Sequence, residues 1–133
     1  MVLVDTNVLL DIATRDADWF TWSAEKLAPL IDAREAAINP VIYAELAPLY
    51  RDARDLDLNL VPASDFRRLA LPYSAGFPAA RAFQSYRKAG GQRKAPLPDF
   101  FIGAHAEAEG LTLLTRDATR FRTYFPKVRL ICP

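Results

Sequence analysis

The chain has 133 residues, 51% of them hydrophobic and 25% charged, with a formal net charge of +1. That balance excludes a disordered chain and supplies one hydrophobic core, but the net charge alone points to no nucleic-acid partner. No apolar run reaches the ~18 residues of a membrane span, no signal peptide is legible at the N-terminus, and the single Cys132 cannot form an internal disulfide, so one domain over residues 1–133 in a reducing cytoplasm is expected.

Residues 2–4, Val-Leu-Val, read as a short buried strand ending at Asp5, and residues 7–12 as the start of a helix. Over residues 19–36, Phe20, Ala24, Leu27, Leu30 and Ile31 recur at helical spacing. Residues 37–38 read as a second strand. Asn39-Pro40 is a helix start, because Asn favours the N-cap and Pro the first helical position. That helix would carry Val41, Ile42, Glu45, Leu46 and Leu49, with Pro48 kinking or shortening it. Residues 58–61 read as a third strand or extended connection. Ser64 and Asp65 are candidate caps for a helix over 66–71, ended by Pro72. A helix over 77–89 closes at Gly90-Gly91. Residues 92–98 form a basic, proline-containing loop, and Asp99 opens an apolar helix to Glu109, stopped by Gly110. A strand at 111–114, a helical turn near 118–124 and a last strand at 128–131 complete the chain. Short apolar strands alternating with helices predict an α/β fold with a mostly parallel sheet of four to five strands.

Ligands of such sheets sit at the carboxyl ends of the strands. Asp5 follows the first strand directly, and Asp117 follows the strand at 111–114 after two residues. Glu45 and Asp99 are expected near the N-terminal ends of their helices, which would bring all four acids to one sheet edge. Burying an unpaired carboxylate is costly, and no Lys or Arg lies within nine residues of Asp5. Taken singly, Asp5 and Asp99 also read as helix caps and Asp117 as a turn residue. Glu45 is harder to explain that way, because Val41, Ile42 and Leu49 lie one turn from it, although a packed salt bridge would serve.

As a set, oxygen-only donors suit Mg²⁺ or Mn²⁺. One histidine and one cysteine cannot build a typical zinc site, and no glycine-rich phosphate loop or nucleophile elbow is present. His105 reads as a structural or surface residue. Residues 66–98 carry seven basic side chains (Arg67, Arg68, Arg81, Arg87, Lys88, Arg93, Lys94) and no acid, whereas residues 1–65 carry twelve acids and five basic side chains. This is either a phosphate-attracting surface beside an acidic pocket or a set of solvated helix faces. A carboxylate-held cation near a basic surface supports phosphodiester hydrolysis. Two other classes compete with that reading. One is a non-catalytic binding module that keeps its acids for structure. The other is a hydrolase using Asp5 as covalent nucleophile, which usually wants a second acid where Asn7 stands.

Four blocks resemble the motifs of the PIN-domain family, in the family's order, and are closest to VapC-type toxin ribonucleases of bacterial toxin–antitoxin pairs. They are Val4-Asp5-Thr6-Asn7-Val8-Leu9-Leu10, Asn39-Pro40-Val41-Ile42-Tyr43-Ala44-Glu45-Leu46, Leu97-Pro98-Asp99-Phe100-Phe101-Ile102-Gly103-Ala104-His105-Ala106 and Leu113-Leu114-Thr115-Arg116-Asp117. The resemblance implies a three-layer α/β/α sandwich and a Mg²⁺ or Mn²⁺ site lined by Asp5, Glu45, Asp99 and Asp117. Asp5 and Asp99 would be direct ligands. Glu45 and Asp117 would bind through water, hold a second metal or orient the nucleophile. Thr6, Asn7 and Thr115 would support the cluster by hydrogen bonding. The implied activity is metal-dependent endoribonuclease, as a toxin or, alternatively, as an RNA-processing nuclease without an antitoxin. The implied partners are an RNA substrate, a cognate antitoxin and a second copy in a homodimer. Trp19, Phe20, Trp22 and Tyr50 are candidates for an apolar contact surface, with core packing the favoured alternative. Arg87, Lys88, Arg93 and Lys94 are candidates for RNA backbone contact.

Overall fold

The computed structural model describes residues 1–90 and 97–133. The first strand, β1 (Val2–Val4), is buried throughout, which is what a central strand covered on both faces requires. It pairs in parallel with β2 (Ala36–Ile38) on one side and β4 (Thr112–Leu114) on the other. Outside them lie β3 (Arg67–Arg68) and β5 (Leu130–Ile131), giving a five-stranded parallel sheet in the order β3-β2-β1-β4-β5 among the described residues. The helices α1 (Thr6–Ala13), α2 (Phe20–Asp32), α3 (Pro40–Leu46), α4 (Ala53–Asn59), α5 (Gly76–Lys88), α6 (Leu97–Glu109) and α7 (Thr119–Tyr124) flank it. The architecture is the expected three-layer α/β/α sandwich around a parallel sheet. The chain lays β2 and β3 to one side of β1, then crosses back to place β4 and β5 on the other. Parallel sheets open a crevice at such a switch point, at the carboxyl ends of the strands.

The expected helix start at Asn39-Pro40 is present, with the Asn39 side chain accepting from the Ile42 N–H at 2.9 Å. Pro48 shortens this helix without kinking it. The α-turns end at Leu46, and residues Ala47–Leu49 form one 3₁₀ turn. His105 is fully buried and structural. Its Nδ1 accepts from the Asn39 amide at 3.0 Å, which pins α6 to the β2–α3 turn; Nε2 makes no hydrogen bond among the described residues, with Glu109 Oε2 3.5 Å away. Gly110 stops α6 with a φ of +63°, the left-handed conformation that favours glycine. Gly103 on α6 leaves no room for a Cβ, which would overlap the buried ring of Phe125.

Two elements differ from the sequence expectation. The 58–61 segment is no strand: Leu58 lies in α4, which Asp52 caps by accepting from the Asp55 N–H at 2.8 Å. The alternation Leu56-Leu58-Leu60 imitates a half-buried strand, but Leu56 is buried in the core and Leu58 faces solvent. The 66–71 segment is no helix. Ser64 and Asp65 sit in a turn where the Phe66 N–H donates to Pro62 O, and Arg67 and Arg68 then pair with β2 as β3. Both arginines are exposed, as charged residues on a sheet edge are. Smaller differences are at boundaries: α2 covers Phe20–Asp32, and β5 starts at Leu130. α6 begins at Leu97, inside the expected loop, whose remaining residues 92–96 lie outside the described ones.

Candidate active site

The pairing register of the two central strands builds the site. Val4 on β1 is opposite Leu114 on β4, so the next residues, Asp5 and Thr115, emerge side by side at the carboxyl edge. The Asp5 N–H still donates to Leu114 O at 2.9 Å. Asp5 occupies the N-cap position of α1, yet its carboxylate makes no capping bond. Its Oδ2 instead accepts from the Thr115 hydroxyl at 2.8 Å. Thr115 Oγ1 in turn accepts from Asn7 Nδ2 at 3.3 Å and from the Asp117 N–H at 3.1 Å. Thr6 donates to Glu45 Oε1 at 2.7 Å, tying α1 to α3. Thr6, Asn7 and Thr115 therefore all bond within this corner of the fold.

Asp5, Glu45, Asp99 and Asp117 line one cavity of about 190 Å³, together with Thr6, Asn7, Leu10, Arg120 and Phe121. Asp99 is in the first turn of α6, as expected. Glu45 is not near the start of its helix; because α3 ends at Leu46, it stands in the last turn. Asp5 is buried, Glu45 and Asp99 are half-buried, and Asp117 is exposed at the mouth. A larger, mostly apolar cavity of about 390 Å³ lies beside Tyr43 and Arg68; it contains no acid, and Arg68 is already paired with Asp57 at 2.8 Å.

Crowding and burial set the protonation of the acids. Burial pushes the Asp5 carboxyl up to about 7; the Thr115 bond opposes this, and the charges of Asp99 and Glu45 add to it. Burial also raises Glu45, against its bond from Thr6 and with the Asp99 charge. Asp99 is raised by burial despite the charge and hydrogen bond of Arg120. Among the described residues, no three His, Cys, Asp or Glu side chains already converge on one point where an ion would sit. The donor chemistry nonetheless fits a hard divalent cation: several carboxylates share one cavity, and among the described residues one guanidinium is the only positive charge lining it.

Two groups here were missed in the sequence. Arg120, on α7, bonds Asp99 through Nη1. Asp11 is buried on α1, where it accepts from Ser23 at 2.7 Å and from Arg116 Nε at 2.9 and 3.1 Å. The Arg116 guanidinium also lies 5.5 Å from the Trp19 ring centroid. A signal for Asp11 existed: Asn7 and Asp11 are four apart on one helix face, and both reach the turn at 115–117. Arg120 carried no comparable local signal. Of the basic residues singled out, Arg87 and Lys88 are exposed at the end of α5, whereas Arg93 and Lys94 lie outside the described residues. Trp19, Phe20, Trp22 and Tyr50 are half-buried, with Trp22 and Tyr50 packed on the core.

A family model described as PIN domain matches residues 2–125. No curated protein sequence matches the chain. Among solved structures, the chain is similar to VapBC2 from Rickettsia felis bound to a DNA fragment from their promoter, with TM-score 0.69, 20% identity, and coverage of 100% of this chain and 99% of that one. It is similar to FitAcB from Neisseria gonorrhoeae, with TM-score 0.70, 21% identity, and coverage of 98% and 96%. A toxin–antitoxin complex from Klebsiella pneumoniae gives TM-score 0.66, 22% identity, and coverage of 96% and 95%. At these identities the likeness is one of fold.

The raised Asp5 has a stability consequence. A carboxyl whose folded pKa exceeds its unfolded value binds more protons in the native state, so its stabilisation is full below the unfolded pKa near 4 and is lost as pH rises through about 7. Glu45 and Asp99 shift in the same direction. The metal-free chain should therefore lose on the order of a few kcal/mol between pH 4 and pH 7.5, read as a falling urea midpoint. Asp5→Asn should flatten that slope; an equally steep slope in Asp5→Asn would contradict the assignment.

Proposed function

The chain belongs to the PIN-domain family, and from that premise we propose that it is a metal-dependent endoribonuclease, the toxin of a VapBC-type toxin–antitoxin pair. The observation that carries this reading is the cavity in which Asp5, Glu45, Asp99 and Asp117 come together at the carboxyl edge of the sheet. The toxin assignment is supported by the structural neighbours, which are described as VapBC, FitAcB and toxin–antitoxin complexes. On this reading the chain works in the cytoplasm with a cognate antitoxin and a second copy of itself as partners. A PIN nuclease of RNA processing without an antitoxin is the neighbouring alternative. Growth arrest on expression, relieved by the product of an adjacent gene, separates the two.

Asp5 and Asp99 would hold Mg²⁺, or Mn²⁺ in its place, with Glu45 and Asp117 acting on it through water. When bound, the ion supplies charge neutralisation at the phosphoryl group and a water of lowered pKa. The residues of the chain do the rest. Thr115 fixes one oxygen of Asp5, and the buried position of Asp5 keeps competing water away. Thr6 occupies Oε1 of Glu45, which leaves Oε2 to orient the attacking water and receive its proton. The water oxygen bonds to phosphorus in line with the leaving oxygen, whose bond to phosphorus breaks; solvent water protonates that oxygen, and Glu45 returns its proton to solvent. Arg87 and Lys88, with Arg93 and Lys94, would contact the RNA backbone.

The native chain should cleave RNA with Mg²⁺ or Mn²⁺. Asp5→Ala and Asp99→Asn should each lose about 100-fold or more. Thr115→Val should lose roughly 10–100-fold through misplacement of Asp5, while Thr115→Ser retains most activity. Equal rates in the native chain and the two acid variants would sink the carboxylate mechanism. For the basic surface, an Arg87→Ala, Lys88→Ala double variant should reduce the salt slope of RNA affinity by about 2; an unchanged slope removes both residues from the interface.

A further inference from the structure

Arg120 is the group in the cavity to which the site as proposed so far gives no role. It sits in the first turn of α7, three residues beyond Asp117, and lines the same cavity as the four carboxylates. It is bonded to Asp99, with both side chains about one-quarter exposed, 26% and 24%. Its Cζ lies 5.2 Å from the ring centroid of Tyr86 and 5.8 Å from that of Phe100. These rings are themselves fixed, packing on each other at 5.4 Å and on Tyr124 at 5.9 and 5.6 Å. An aromatic shelf supplied by α5 and α6 thus carries the guanidinium at the rim of the acidic cavity.

Two further observations bear on what it does there. A guanidinium has five N–H donors in a rigid fork suited to paired oxygens. Among the described residues, one bond is made from that fork, to Asp99. The residue that Arg120 bonds is also one of the two acids proposed above as direct ligands of the cation. A guanidinium and a divalent ion cannot both take the same carboxylate oxygen at full strength.

We infer that Arg120 is a further catalytic residue: it neutralises Asp99 while no cation is bound, and it turns to a phosphoryl oxygen of the RNA once a cation takes Asp99. The inference rests on the nuclease reading above. The aromatic shelf makes the movement short, because the guanidinium stays stacked while its fork changes partner. Charge supports the exchange, since the partner lost is one carboxylate and the partner gained is an anionic phosphoryl group. A pair kept only for structure would not need a place inside the cavity.

The test is Mn²⁺ titration by calorimetry on the whole chain, together with single-turnover RNA cleavage at saturating Mn²⁺. Arg120→Ala should bind Mn²⁺ several-fold more tightly, because its competitor is gone, yet cleave roughly 10²–10³-fold more slowly. Arg120→Lys, which keeps the charge without the fork, should fall between. If the alanine variant does not fold, Arg120→Gln is read the same way. Unchanged or weakened Mn²⁺ affinity in the folded variant overturns the exchange at Asp99. Tighter Mn²⁺ binding with an unchanged cleavage rate overturns the phosphoryl contact. A native chain that binds no Mn²⁺ overturns the nuclease reading itself, and the inference with it.

Discussion

The carboxylate of Asp5 stands at the carboxyl end of the central strand, 4% exposed, and the site is organised around keeping it there. A lone buried acid is costly. The chain meets the cost first with the Thr115 hydroxyl, delivered by the in-register pairing of β1 with β4. Because that register is set by buried apolar residues, slipping it by one residue would turn the apolar set of a strand to the wrong face. The same interactions that form the core thus fix the distance between Asp5 and Thr115. Asn7 and Asp11, on successive turns of α1, then hold the turn at 115–117 from the other side.

Electrostatics works against this arrangement. Glu45 and Asp99 bring further negative charge to a poorly solvated cavity, and with Asp5 all three carboxyls are pushed upward. Arg120 relieves part of the strain at Asp99. The rest is relieved by protons at low pH or, on the function proposed, by a cation at neutral pH. Stability and function are then linked through one cavity: what makes the metal-free chain less stable as pH rises makes its ionised oxygens better donors to a hard ion.

Much of this was legible in the sequence where local chemistry and position agree. Val2-Leu3-Val4 could only be a buried strand, so Asp5 had to stand at its end; Asn39-Pro40 announced α3; and Gly110 marked the stop of α6. The misreadings have non-local causes. β3 is two arginines made into a strand by pairing with β2, with no apolar pattern of their own. The leucines at 56, 58 and 60 alternate like a strand, and only the Asp52 cap and the burial of Leu56 decide for α4. Arg120 was invisible because its partners, Asp99, Tyr86 and Phe100, come from other helices. The position of Glu45 in the last turn of α3 follows from Pro48, whose effect on helix length was legible but whose consequence for the site was not.

The most direct measurement is a crystal of the chain soaked in Mn²⁺ and recorded at the manganese absorption edge. An anomalous peak bounded by Asp5 and Asp99, with Glu45 and Asp117 on its far side and Arg120 turned off Asp99, is the expected result. Manganese found only at surface acids, with the Arg120–Asp99 pair intact at full soak, would contradict the assignment of this cavity as a metal centre.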